Sequence, residues 1–188
     1  MEIKNANPTI LNASDLPTRK PSTTSRLRSP IDDVVAAYIA DPFALDHESD
    51  SGDDSDNEIE SIDAQEIYDL VSTMCDPEHP ITLGELAVVN LAHITVDDER
   101  DAHYSRVQLE FTPTITHCHL ATVIGLGLVV RLRQSLPPRF RVDVRVREGT
   151  HSTEGQLNRQ LADKERVLSA LENETLMGLV GRMLETCK

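Results

Sequence analysis

The chain has 188 residues, with 18 Lys and Arg against 32 Asp and Glu, for a formal net charge of −14. That length suits one domain with a tail better than two full domains, and the acidic balance argues against direct nucleic-acid binding through a basic surface. Three cysteines, none in a CxxC pair, argue against a secreted disulfide scaffold and against the usual paired-thiol zinc and redox motifs. The start MEIKNANPTI lacks an apolar signal core, and the longest uncharged apolar run, Leu120 to Val130, is 11 residues. A membrane span needs roughly 20. The expectation is a soluble protein of the cytosol or nucleus with no membrane segment.

The charge is unevenly spread. Residues 1–62 carry 5 basic and 13 acidic side chains. Asn5 to Pro30 is rich in Pro, Ser, Thr and Asn, and eight of the 15 positions from Asp46 to Glu60 are acidic. Such segments repel themselves and bury too little to offset the entropy of ordering. Residues 1–61 are therefore read as a disordered tail, Pro/Ser/Thr-rich and then acidic. One apolar interruption, IDDVVAAYIADPFAL, reads as a weakly ordered linker or as a docking segment that orders on a partner. Ser51 and Ser55 each precede an acid by three positions, the pattern of an acid-directed kinase site, although charge runs more often serve solubility.

From residue 62 the texture becomes that of a folded domain, 62–188. Asp63 and Glu66 have capping-box spacing, and Ile67, Leu70, Val71 and Met74 follow on one helical face. Asp76-Pro77 stops that helix. Thr82 and Glu85 form a second box, flanked by a hydrophobic staple of Ile81 and Leu86, which predicts a single helical turn. Ala87–Val96 is β-branched and apolar. Tyr104–Phe111 alternates Val107, Leu109 and Phe111 with Arg106, Gln108 and Glu110. Phe140–Arg147 alternates Phe140, Val142, Val144 and Val146 with charged residues. Period two predicts strands with one buried and one wet face. The acidic link between the first two strands suits a hairpin. The helix-length segment His117–Gln134 between the second and third predicts a parallel crossover. Thr153 and Gln156 cap a helix carrying Leu157, Leu161, Val167, Leu168 and Leu171, and Asn173 caps another through Leu184. The fold class is α+β, a small mixed sheet of about three strands packed on helices, with C-terminal helices and an acidic tail.

The densest chemistry lies in FTPTITHCHLATVIGLG. Cys118 stands between His117 and His119 where a helix begins, and a helix N-terminus or a protonated imidazole favours the thiolate. Against this stands the usual lot of a free cysteine, a small buried hydrophobe. HCH alone is no complete metal site, because adjacent helical side chains diverge. Cys118 is the best single metal-ligand candidate, with the metal unknown. A [4Fe–4S] cluster normally takes four thiolates, so a chain with three cysteines is by itself a poor holder of one, and any cluster here would have to be shared with a partner or a second copy. Asp76-Pro77-Glu78-His79-Pro80 gathers two carboxylates and an imidazole in a stiff turn, whose plainer role is to end a helix. Ile124-Gly125-Leu126-Gly127 lacks a dinucleotide fingerprint, and neither a Walker motif nor GxSxG occurs. Six arginines between 131 and 147 mark a solvated strand face or a surface for an acidic partner or tail.

The runs DPEHPITLGEL, FTPTITHCHLATVIGL, SLPPRFRVDV and EGTHSTEGQLNRQLADKERVLSALEN together resemble the cytosolic iron–sulfur assembly component 2 family over about residues 63–185. This family is the eukaryotic relative of a bacterial iron–sulfur assembly accessory domain. The resemblance implies a non-catalytic adaptor of the CIA targeting complex, cytoplasmic and nuclear. It implies as partners a WD-repeat β-propeller subunit, a HEAT-repeat adaptor and iron–sulfur apoproteins, among them DNA replication and repair enzymes. It also implies a homodimeric form. The family's reactive cysteine falls on Cys118, its DPE turn on Asp76, Pro77 and Glu78, and its EGTHSTE motif on Glu148 to Glu154. Supporting site residues are then His117, His119, Asp76, Glu78 and His151. No cofactor is resident, and a [4Fe–4S] cluster is at most a transient passenger. Two other readings stand beside it, a pure interaction module with a structural Cys118 and a thiol-dependent enzyme.

Overall fold

The computed structural model describes residues 10–19, 61–98, 103–114 and 120–187. Helix α1 (Ala64–Ser72) starts where the capping box predicts, with Asp63 Oδ1 accepting the Glu66 N–H at 2.8 Å. Its apolar face buries Ile67, Tyr68 and Val71. Near its C-terminus the Leu70 carbonyl, one of those a helix end leaves unpaired, accepts from Arg131 Nε at 3.1 Å. Strand β1 (Val89–Asp97) runs antiparallel to β2 (Ser105–Phe111), as the hairpin expectation requires. The register shifts between Val89 and Ile94. Within that bulge Asn90 Oδ1 accepts the Ala92 N–H, which satisfies one amide.

Helix α2 (Ala121–Ser135) carries the chain to β3 (Phe140–Val146), which pairs with β2 in parallel from Ser105↔Phe140 to Phe111↔Val146. The strand order is β1-β2-β3, the mixed sheet that the alternation predicted. Val107, Leu109, Phe111, Phe140, Val144 and Val146 form its buried face. Helix α2 packs on β3 and also against α1 and the C-terminal helices. This is why residues on all its sides are buried, from Ala121 through Leu132.

The C-terminal part contains α3 (Glu154–Ala162), α4 (Lys164–Leu171) and α5 (Glu174–Leu184). The sequence reading ran α3 and α4 together. Asp163 divides them, because its side chain accepts from the amides of Glu165 and Arg166 and so caps a new helix. Leu168, counted there as an apolar-face residue, is exposed. Thr153 gives no side-chain cap to α3, since its hydroxyl bonds His151 Nδ1 at 3.2 Å. Asn173 caps α5 as expected. Asn158 on α3 pairs with both backbone groups of Val146, accepting at 2.7 Å and donating at 3.1 Å, and so closes that end of the sheet edge.

Residues 10–18, read from sequence as part of the tail, belong to the same compact unit as 61–188. The acidic run 46–60 and the apolar interruption 31–45 lie outside the described residues. No helix among the described residues is long and apolar enough to cross a membrane.

Gly84 sits where backbones touch. A Cβ there would stand 3.0 Å from Ser72 Cβ and 3.1 Å from the Ser72 carbonyl oxygen. Gly84→Ala should lower stability by about 1–3 kcal/mol in urea titration. Gly125→Ala should cost less. Its Cβ meets the ends of the half-buried Leu161 side chain, which can turn away, and the helix gains about 1 kcal/mol of propensity.

Candidate functional site: an acidic–histidine turn

After α1 the chain makes a tight reversal through Asp76-Pro77-Glu78-His79-Pro80. An isolated β-bridge between Cys75 and Thr82 closes its base, and the Asp76 N–H donates to the Ile81 carbonyl. The carboxylate of Asp76 is the organising group. Its side chain is 3 % exposed, and Oδ2 accepts from the Glu78 amide, the His79 amide and, at 3.0 Å, bonds His79 Nδ1. Side-chain-to-backbone bonds of this kind lock an Asx-type turn. The plainer reading of Asp76 as a turn stiffener therefore accounts for one of its oxygens. Glu78 and His79 are exposed.

The ligand atoms of Asp76, Glu78 and His79 all lie within 4.8 Å of one another. Two oxygens and an imidazole nitrogen suit a borderline divalent ion better than a cluster iron, which favours thiolates. The turn borders a cleft of about 240 Å³ that Cys75 and, from α5, Arg182 and Met183 also line. The Cys75 N–H donates to the Met183 carbonyl, so α5 forms the opposite wall. Sequence order hid this wall, because Arg182 stands more than a hundred residues from the turn and no local pattern announces the contact.

Among the other expected site residues, His117, Cys118 and His119 lie outside the described residues. Their described flanks are Thr114, which is buried, and Leu120, the N-cap of α2. A second, more apolar cleft of about 410 Å³ opens beside the first turn of α2, between Thr122 and Val123 on one side and Leu161 and Val167 on the other. His151 is not part of the Asp76 cluster; its Nδ1 accepts the Thr153 amide at 3.1 Å, beside α3. Of the two described cysteines, both half-buried, Cys187 has its Sγ 3.7 Å from Thr73 Oγ1.

The capping box that follows forms as the spacing predicted. Glu85 Oε2 accepts from the Thr82 amide and hydroxyl, and the Glu85 amide donates back to Thr82 Oγ1. These bonds, the backbone one foremost, hold the Glu85 carboxyl below its ordinary value of 4.5. Nor is the arginine face a free basic patch. Asp143 takes Arg106 at 3.0 Å and Arg145 at 2.7 Å, Arg139 pairs with Asp98, and Arg141 stacks on Tyr104 at 4.1 Å. Burial pushes the Asp143 carboxyl up, but its arginine partners outweigh this and hold it low.

Two outcomes follow from these bonds. Asp76→Ala should lower stability by about 1–3 kcal/mol, while Asp76→Asn, which keeps an acceptor oxygen, should lose clearly less in the same urea titration. Because the folded-state pKa of Glu85 is depressed, its contribution is complete above the ordinary value of 4.5 and is lost as pH falls through the lowered one. The stability gap between wild type and Glu85→Gln should therefore be largest near neutrality and shrink in acid. A gap that does not change with pH would contradict the assignment.

No family model matches the chain. Among curated proteins, a MIP18 family protein of Saccharomyces cerevisiae is 42% identical over 229 residues, covering 100% of this chain and 99% of the relative. Cytosolic iron-sulfur assembly component 2B of Mus musculus is 49% identical over 134 residues, covering 71% of this chain and 80% of the relative. The Drosophila melanogaster MIP18 family protein galla-2 is 45% identical over 134 residues, covering 71% and 83%. With identity of this level over most of both chains, the resemblance seen in the motifs holds along the domain. This chain belongs to the MIP18 family, that of cytosolic iron–sulfur assembly component 2.

Proposed function

We propose that the chain is a non-catalytic adaptor of cytosolic iron–sulfur protein assembly, acting within the CIA targeting complex to deliver [4Fe–4S] clusters to cytoplasmic and nuclear apoproteins. The observation that carries this reading is the 49% identity with the mouse protein named as a cytosolic iron–sulfur assembly component, over 71% of the chain. The cluster is cargo. Three cysteines in the whole chain are one short of the usual four thiolates, so any contact with a cluster is shared with another chain. Cys118 is the thiol proposed for that contact, or for contact with a client protein. The oxygen and nitrogen donors of the Asp76 turn are a poor match for cluster iron and fit a structural part better. The proposed partners are a WD-repeat β-propeller subunit, a HEAT-repeat adaptor and iron–sulfur apoproteins, DNA replication and repair enzymes among them.

The test is anaerobic affinity purification from cytosol, with wild type beside Cys118→Ala and all co-purifying proteins identified. The proposal expects both forms to bring down the propeller subunit and wild type to retain at least several-fold more iron–sulfur apoprotein. Equal client recovery removes the role given to Cys118 and favours the interaction-module reading. Loss of the propeller and of clients from both forms sinks the adaptor reading itself.

A further inference from the structure

The segment 10–18 is held to the domain by a small, well-defined set of contacts. The Leu11 N–H donates to the Glu85 carbonyl at 2.7 Å, and the Pro17 carbonyl accepts from Gln65 Nε2 at 3.0 Å. Leu11, Leu16 and Pro17 are half-buried, whereas Ile10 is exposed. Between the anchors a short 3₁₀ turn, Ala13–Asp15, is closed by Asn12 Nδ2 donating to Asp15 Oδ2, so the segment is partly organised for docking. In sequence it is separated from the rest of its compact unit by residues 19–60. Two hydrogen bonds and three half-buried apolar side chains make a contact of modest strength. Such a contact opens and closes locally, without global unfolding.

The landing points matter. Gln65 lies in the first turn of α1, and Glu85 is the residue whose carboxylate closes the Thr82 capping box. Thr82 is bridged to Cys75, at the base of the acidic–histidine turn, and Ile81 accepts the Asp76 amide. Leu11 thus bonds the residue that caps the 82–86 turn, and Ile81, the residue just before that turn, accepts the Asp76 amide.

We propose that residues 10–18 are a peptide ligand carried in cis, docked on a surface made by the first turn of α1 and the 82–86 turn, and that its docking sets the rigidity of the 76–80 turn. This holds whether or not the adaptor function does.

Amide hydrogen exchange on the full chain tests it. In wild type the Leu11 amide should exchange through an opening nearly insensitive to low urea, while β2 amides show the full urea dependence of unfolding. Equal urea dependence overturns the proposal, because the segment would then be part of the global fold. In a Leu11→Pro, Leu16→Asp chain, amides 76–86 should exchange at least ten-fold faster, and a synthetic peptide of residues 10–19 at millimolar concentration should restore their protection. The labelled peptide should bind this variant at least ten-fold more tightly than wild type, whose surface is already filled. Unchanged exchange at 76–86, failure of the peptide to restore it, or equal binding to both chains each refute the proposal. The wild-type urea measurement stands even if the variant does not fold.

Discussion

The constraint on which this domain depends is the enclosure of α2. Its buried residues run from Ala121 to Leu132 and cover every side of the helix, so no orientation lets it sit at a surface. The buried face of the sheet covers one side, and α1, α3 and α5 cover the rest. Close approach is bought at two glycines: Gly125 faces Leu161 and Phe111, while Gly127 faces the methyl groups of Met74 and Met183. A larger side chain at either would have to displace these side-chain ends. The order of the other elements follows from this. A parallel crossover lays the helix on the sheet, and the chain then needs α3 to α5 to wrap what the sheet leaves open.

Electrostatics play a supporting part. The chain is strongly acidic, yet the carboxylates that shape the fold are few and specifically bonded. Asp98 accepts from the Ile62 amide, the Ser105 hydroxyl and Arg139, and so joins the entry to α1, the start of β2 and the approach to β3. Asp143 gathers two arginines on the open face of the sheet. Asp76 spends one oxygen on its own turn. In each case the carboxylate is shielded and multiply hydrogen-bonded, the condition under which a buried charge is tolerated. Asp143 and Asp98 thus offset part of the charge of the arginine-rich strand face.

The chain reverses tightly after α1. The DPE turn is stiff because Asp76 bonds its own backbone and because the Cys75–Thr82 bridge closes the loop behind it. Helix α5 supplies the facing wall. Within the turn Glu78 and His79 are exposed.

Helix α1 ends at Ser72, short of the stop expected at Asp76-Pro77. The rest of the local grammar was determined by the sequence alone: the caps at Asp63, Thr82 and Asn173, the period-two strands and the parallel step between the second and third. Each is written in neighbours within a few residues, and capping and alternation act at that range. The family, too, was legible from motifs in order. Tertiary structure alone decided the rest. It set the diversion of Thr153 to His151, the pairing of Asn158 with the β3 edge, the wall that Arg182 and Met183 raise against Asp76, and the return of residues 10–18 onto the domain. All of these involve competition for one polar group or contacts between distant parts of the chain. Which partner wins depends on where packing brings the backbone, and no periodicity in the sequence carries that information.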